Sequence, residues 1–181
     1  MLQDSKREQD LLNHYNSNPS YYSSINNQNI LELIRKSGLE SLTGTNVLDI
    51  GCGDARLLPM IESMGIKKYT GIDYSDTRIE IAQKVATKIE KNIINTSIQN
   101  FINNNKETFD VIFIFEVLEH LEEPKIIMES LGRIGKKIIG SVPVNMPYKA
   151  HLQVYKSKKE VEEMIGCDVL FIKNGHFFFK D

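Results

Sequence analysis

The segment 109–115 (FDVIFIF) is apolar at every position except Asp110, and every apolar residue in it is β-branched or aromatic. A strand with one wet face alternates apolar and polar residues. A continuous run of this kind belongs to a strand covered on both faces, the situation of a central strand in a parallel sheet flanked by helices. That one segment selects an α/β architecture, and the rest of the chain supplies the flanking units. Short apolar strands are read at 46–50, 69–73, 93–96 and 137–142. The helices between them carry Leu57, Leu58, Ile61 and Met64, then Ile79, Ile81, Ala82, Val85 and Ile89, with further helices at 124–131 and 158–165. The C-terminus departs from this pattern. Segments 169–173 and 176–179 flank Asn174-Gly175, a turn pair that tolerates positive φ at both centres and predicts an antiparallel hairpin. The expected fold is a Rossmann-like, doubly wound sheet that is mostly parallel with an antiparallel C-terminal hairpin.

Residues 1–40 read as a helical arm ahead of the main domain, 41–181. The arm is polar, with Tyr15, Tyr21 and Tyr22 and a breaker at Pro19. A short helix is read at 9–15, and a second carries Ile30, Leu31, Leu33 and Ile34 with Gly38 as its stop. Two readings of the arm stand: an entry segment packed on the core, or a lid over a substrate site. With 22 Lys and Arg against 24 Asp and Glu, the net charge is −2, which excludes a generally basic nucleic-acid surface. Neither a leader-like apolar core nor a run of ~18 apolar residues is present, so a cytoplasmic protein without a membrane span is expected. Cys52 and Cys167 form neither a disulfide framework nor a CxxC pair.

The first strand leads into Asp49-Ile50-Gly51-Cys52-Gly53-Asp54. Gly51 and Gly53 allow a tight strand-to-helix turn and close approach of a ligand to the backbone. Asp49 in front of them disfavours a pyrophosphate and welcomes a cationic group, and Arg56 stands where a dinucleotide fingerprint has its third glycine. The second strand ends in Asp73, 20 residues after Gly53, a position where a carboxylate suits two ribose hydroxyls. The central strand runs into Glu116-Val117-Leu118-Glu119-His120. If that segment is helical, Glu116, Glu119 and His120 share one face.

DIGCG, GIDYS, FDVIFIFEVLEHL and SVP, in this order over about residues 40–180, resemble the class I S-adenosylmethionine-dependent methyltransferases. The resemblance implies a seven-stranded sheet with a reversed final strand and S-adenosylmethionine as methyl donor. Gly51, Cys52 and Gly53 would lie along its methionine portion, Asp49 near its amino group, and Asp73 on its ribose. Tyr74 would pack on the adenine, and Glu116 also belongs to the expected cofactor-binding set. Where family members usually carry an acid after the third strand, this chain has Ser97, whose hydroxyl would face the adenine amine with Ile98 covering the ring.

His120 and Glu119 are the candidate catalytic pair, with His120 as general base; a purely structural role for both is the competing reading. A metal is not expected; the alternative places one on Glu116, Glu119, His120 and His151, as in metal-dependent RNA 2′-O-methyltransferases. The function read from the sequence is methyl transfer to a small-molecule or glycan-like O or N acceptor. A non-catalytic cofactor-binding module is the alternative from a different class.

Overall fold

The computed structural model describes residues 27–39 and 41–181. Helix α1 (Asn27–Lys36) precedes strand β1 (Asn46–Ile50), after which strands and helices alternate. They are α2 (Leu58–Ser63), β2 (Lys68–Asp73), α3 (Asp76–Gln83), β3 (Glu90–Asn95), α4 (Ile98–Asn104) and β4 (Val111–Phe115). A single 3₁₀ turn (Leu118–His120) leads to α5 (Pro124–Leu131), β5 (Ile138–Pro143), α6 (Lys158–Ile165), β6 (Asp168–Lys173) and β7 (His176–Lys180). The strands form one seven-stranded sheet of order β3-β2-β1-β4-β5-β7-β6. The first five are parallel; β7 runs antiparallel to both β5 and β6. The expected α/β sheet with a reversed terminal hairpin is present. Asn174 and Gly175 both take positive φ at its turn.

Successive strand residues point to opposite faces, so each central strand feeds two cores. Leu48, Ile112, Ile114 and Phe179 pack with Phe101, Met128, Leu131 and Val161 from α4, α5 and α6. Val47, Val111, Phe113 and Phe178 pack on the other side with Leu33, Ile34, Leu58, Ile61 and Ile79 from α1, α2 and α3. The apolar run of β4 is the sequence image of this double burial.

Four details depart from the sequence reading. Helix α3 stops at Gln83 rather than reaching Ile89, because the Lys91 ammonium donates to the carbonyls of Ala82, Gln83 and Val85 and closes its end. Strand β3 begins at Glu90, ahead of the expected residue 93. Helix α4 was not anticipated; Ser97 caps it by accepting from the Asn100 amide at 3.2 Å, and Ile98 and Phe101 bury its inner face. The run Phe177–Phe179 reads in the sequence as a buried edge of the sheet; it is buried, but β7 lies between β5 and β6.

The helix read at 9–15 lies outside the described residues, as does the part of the proposed lid before residue 27. The described part of the arm is packed: Leu33 and Ile34 are buried, and Glu32 meets Lys173 of β6 at 2.6 Å. No helix among the described residues is long and apolar enough to cross a membrane.

The tightest approach in the sheet is at Gly140 of β5, where a Cβ would collide with the backbone carbonyl of Ile114 and stand 2.8 Å from the Phe179 ring. Gly140→Ala is expected to destabilise the fold by on the order of 3 kcal/mol, read as a lowered denaturant midpoint at unchanged slope.

Candidate active site

In an open parallel sheet, ligands bind beyond the carboxyl ends of the strands, where the strand order reverses. Here that point lies between β1 and β4. The turn after β1 sits on one side of it. Gly51 and Gly53 take positive φ, and the amides of Gly51 and Cys52 donate to the Ile72 carbonyl at 2.9 and 3.0 Å, tying the turn to β2. A Cβ on Gly51 would lie 2.5 Å from the Val117 side chain, so the turn and the segment after β4 are in direct contact through a glycine. Cys52 is buried.

Two carboxylates flank this turn. Asp49 is 4% exposed and accepts a 2.6 Å hydrogen bond from the Tyr69 hydroxyl. Burial pushes its pKa up to about 7; Tyr69 opposes the rise and the nearby Asp73 adds to it. Asp73 accepts from the Gly53 amide through one oxygen and from the Ser75 amide through the other, both at 2.9 Å. Its pKa is raised by burial, against those amides and the Arg78 guanidinium. Arg78 is itself buried, and its Nη1 would be 3.7 Å from a Cβ on Gly53. Tyr74 follows Asp73 at the surface. Ser97 and Ile98 open α4 at the end of β3, with the Ser97 hydroxyl engaged as the helix cap. The residues expected to hold a cofactor, Glu116 after β4 excepted, therefore lie at the ends of three neighbouring strands, β1, β2 and β3.

The acid–histidine segment forms the other side. It is not an α-helix: Glu116 has φ 56° and only Leu118–His120 make a helical turn, so the common face expected for Glu116, Glu119 and His120 does not form. A left-handed backbone at a glutamate stores strain of a kind found at functional sites. Glu116 turns toward β5 and β7. Its Oε1 accepts from the Ser141 hydroxyl at 2.7 Å, and its Oε2 is 3.2 Å from Nε2 of His176. His176 is buried, and its Nδ1 donates to the Asn174 carbonyl at 2.9 Å. Burial works against a charged imidazole there, but the Glu116 carboxylate and the Asn174 carbonyl hold its pKa above the ordinary histidine range.

Glu119 turns elsewhere. It is 1% exposed, and its carbonyl accepts from the amides of Leu152 and Gln153, fixing the loop after β5. That loop delivers His151, whose ring centroid is 5.0 Å from that of His120. Nδ1 of His120 donates to the Ala150 carbonyl at 3.1 Å, and Nδ1 of His151 to the Met146 carbonyl at 2.8 Å. Because a carbonyl can only accept, both Nδ1 atoms carry protons, and in a neutral ring the lone pair is then at Nε2. One ligand atom each from Glu119, His120 and His151 lies within 4.8 Å of the others. Of the four residues in the metal alternative, these three converge. Glu119 Oε2 is buried without a hydrogen-bond partner, and Oε1 is 3.7 Å from His120 Nε2. Burial, with a smaller contribution from Glu116, drives the Glu119 pKa well up, and its own backbone amide opposes this.

Sequence reasoning assigned no role to Tyr69, Arg78 or His176. Each sits within an apolar pattern or after a turn, where a polar tip is invisible until the strand register is known. For Tyr69 the available signal was the glycine two residues on, at Gly71.

Comparisons with known proteins agree with this layout. A family model described as a methyltransferase domain matches residues 20–179. The chain is 35% identical over 141 residues to the mitochondrial ubiquinone biosynthesis O-methyltransferase of Dictyostelium discoideum, covering 72% of this chain and 42% of that protein. It is 31% identical over 132 residues to the ubiquinone biosynthesis O-methyltransferase of Actinobacillus pleuropneumoniae, covering 68% and 56%. The chain thus spans about half the length of these curated relatives. Among solved structures it resembles magnesium protoporphyrin IX methyltransferase (ChlM) from Synechocystis PCC 6803 with bound SAM, with TM-score 0.68, 15% identity and coverage of 96% and 95%. The DhpI–SAH complex gives TM-score 0.69 at 13% identity, covering 93% of each chain. At those identities the structural likeness speaks for the fold, and the family model with the curated relatives speaks for descent. The chain belongs to the methyltransferase-domain family, among the class I S-adenosylmethionine-dependent methyltransferases.

Proposed function

We propose that this chain transfers the methyl group of S-adenosylmethionine to a hydroxyl oxygen of a small molecule. The observation that carries the reading is the division of the strand ends. Two carboxylates and a glycine turn lie beyond β1 and β2, and a histidine–glutamate cluster lies beyond β4 and β5. O-methylation is favoured over N-methylation by the names of the two curated relatives. The donor fits the first half of the site on the chemistry of its residues. A buried carboxylate with a pKa of about 7 gains from a cationic partner, and the turn offers backbone at positive φ. Asp49 is assigned to the ammonium of the donor, Gly51, Cys52 and Gly53 to its methionine chain, and Asp73 to the ribose hydroxyls. Tyr74 and Ile98 are assigned to the adenine faces, and Ser97 to its edge. Glu116 closes the cofactor side from β4.

When bound, the donor supplies a methyl group already activated by its sulfonium, so the protein's task is alignment and exclusion of water. The acceptor must still lose a proton. His120 is assigned to take it at Nε2 while Nδ1 stays bonded to Ala150. The resulting imidazolium faces Glu119 Oε1, and its charge favours ionisation of that buried acid.

A second reading is favoured by one observation: Glu119 Oε2 is buried without a hydrogen-bond partner, and one ligand atom each of Glu119, His120 and His151 lies within 4.8 Å of the others. These mixed oxygen and nitrogen donors suit a divalent cation, which would ionise Glu119 and lower the pKa of an acceptor hydroxyl.

Isothermal titration with S-adenosylhomocysteine tests the cofactor half. A carboxylate that must be ionised to meet an ammonium, with a free-state pKa of about 7, makes affinity rise with pH up to that value and then level off. Binding is expected to be about tenfold weaker at pH 6 than at pH 8, and pH-independent binding over that range would exclude an ionising Asp49. For the acceptor half, His120→Ala is expected to lower kcat by roughly 10²–10⁴ with cofactor affinity unchanged. Methyl incorporation from labelled donor into phenolic acceptors is the readout. Loss of turnover on chelation, restored by a divalent metal and abolished by His151→Ala, would select the second reading over the first.

A further inference from the structure

Asp49 is the penultimate residue of β1 and is registered against Gly71 of β2, while Val47 is registered against Tyr69. Residues two apart on a strand share a face, so Tyr69 stands behind Gly71 and must cross it to reach the carboxylate. It does so, donating to Asp49 Oδ2 at 2.6 Å. The crossing depends on the glycine. A Cβ on Gly71 would lie 2.8 Å from Cε1 of Tyr69 and 2.9 Å from Sγ of Cys52. Tyr69 is fully buried, and among the described residues no other donor reaches the Asp49 carboxylate.

We propose that Tyr69 is a positioning residue for recognition of the donor's amino-acid end. It holds Asp49 through Oδ2 so that Oδ1 receives the ligand ammonium, and Gly71 is the residue whose missing side chain allows it. The inference rests on the cofactor reading of the site. The titratable groups facing Asp49 are the Tyr69 phenol and the Asp73 carboxylate from β2 and the Cys52 thiol from the turn. Asp73 repels the ionised form, and Tyr69 is the neighbour that favours it. A tyrosine at this site therefore orients the acid and preserves its charge, while glycine at 71 keeps the route between them open.

The test uses two ligands. S-adenosylhomocysteine carries the amino-acid end, and 5′-methylthioadenosine keeps the adenosine and thioether but lacks it. In Tyr69→Phe, S-adenosylhomocysteine is expected to bind about tenfold more weakly, the loss of one charge-assisted hydrogen bond, while 5′-methylthioadenosine binds within twofold of the parent protein. The midpoint of the pH dependence for S-adenosylhomocysteine is expected to move upward from about 7. In an Asp49→Asn background, Tyr69→Phe is expected to cost nothing further. A loss shared equally by both ligands, or no loss for S-adenosylhomocysteine, overturns the proposal. If the unsubstituted protein binds neither ligand, the cofactor reading fails and this inference falls with it. Gly71→Ala is expected to repeat the Tyr69→Phe pattern. Should that variant not fold, the near-isosteric Tyr69→Phe still decides the matter.

Discussion

The central strands are sealed on both faces, and this constraint governs where chemistry can occur. Backbone groups in β1, β4 and β5 are consumed by the sheet, and their side chains are divided between two apolar cores. A polar side chain placed within those strands has nowhere to send its hydrogen bonds. Polar residues therefore enter where the pairing ends. Asp49, Asp73 and Glu116 lie within one residue of the carboxyl ends of their strands, and Ser141 lies two residues before the end of β5. The site is a consequence of sealing the sheet, because the ends of the strands are the one place where buried polarity can be satisfied by a neighbouring strand or by a ligand.

Reversal of β7 extends the same logic. An antiparallel strand brings its N-terminal residue to the edge where its parallel neighbours bring their C-terminal ones. His176 is registered against Pro143, and its ring reaches Glu116 across the end of β5. A parallel strand in that place would have offered its last residue there. The hairpin turn at Asn174-Gly175 is thus part of the wall of the site: its carbonyl holds the His176 ring through Nδ1, and His176 in turn meets the carboxylate of a strained Glu116 through Nε2.

Legibility in the sequence followed the same division. The strand β1, the hairpin, and the helices α5 and α6 were readable because local pattern and burial agree there. Helix α4 was not, since Gln99, Asn100, Asn103 and Asn104 are poor advertisements for a helix; its existence rests on the Ser97 cap and on burial of Ile98 and Phe101. The glycine turn was legible because backbone geometry demands that residue type there, and Asp73 was legible from its spacing to Gly53. The partners of the acids were not. Tyr69, Arg78 and His176 act across strands or from a helix behind the turn, and only register reveals such neighbours. The helical face expected for Glu116, Glu119 and His120 failed for a local reason, the left-handed backbone at Glu116, which splits the acids between two neighbourhoods.

Placing Asp49 where it is has an energetic cost that supports the role proposed for it. Its pKa rises from the model-peptide value of 3.8 to about 7 on burial. Between those values the folded state binds a proton that the unfolded chain has released, so stability falls as pH rises through that window. The whole penalty, on the order of 4 kcal/mol, is present above pH 7. Tyr69 offsets part of it already, yet the residual shift remains large. A buried acid left this uncomfortable is a poor structural element, since asparagine would bond the same hydroxyl without the charge. It makes sense as a receptor for positive charge. A cationic ligand recovers the penalty as binding free energy, and the carboxylate is destabilised only until that ligand arrives. The same reasoning separates Asp49 from Asp73, whose carboxylate is met at both oxygens by backbone amides and is held rigidly, as the role proposed for it toward neutral hydroxyls requires.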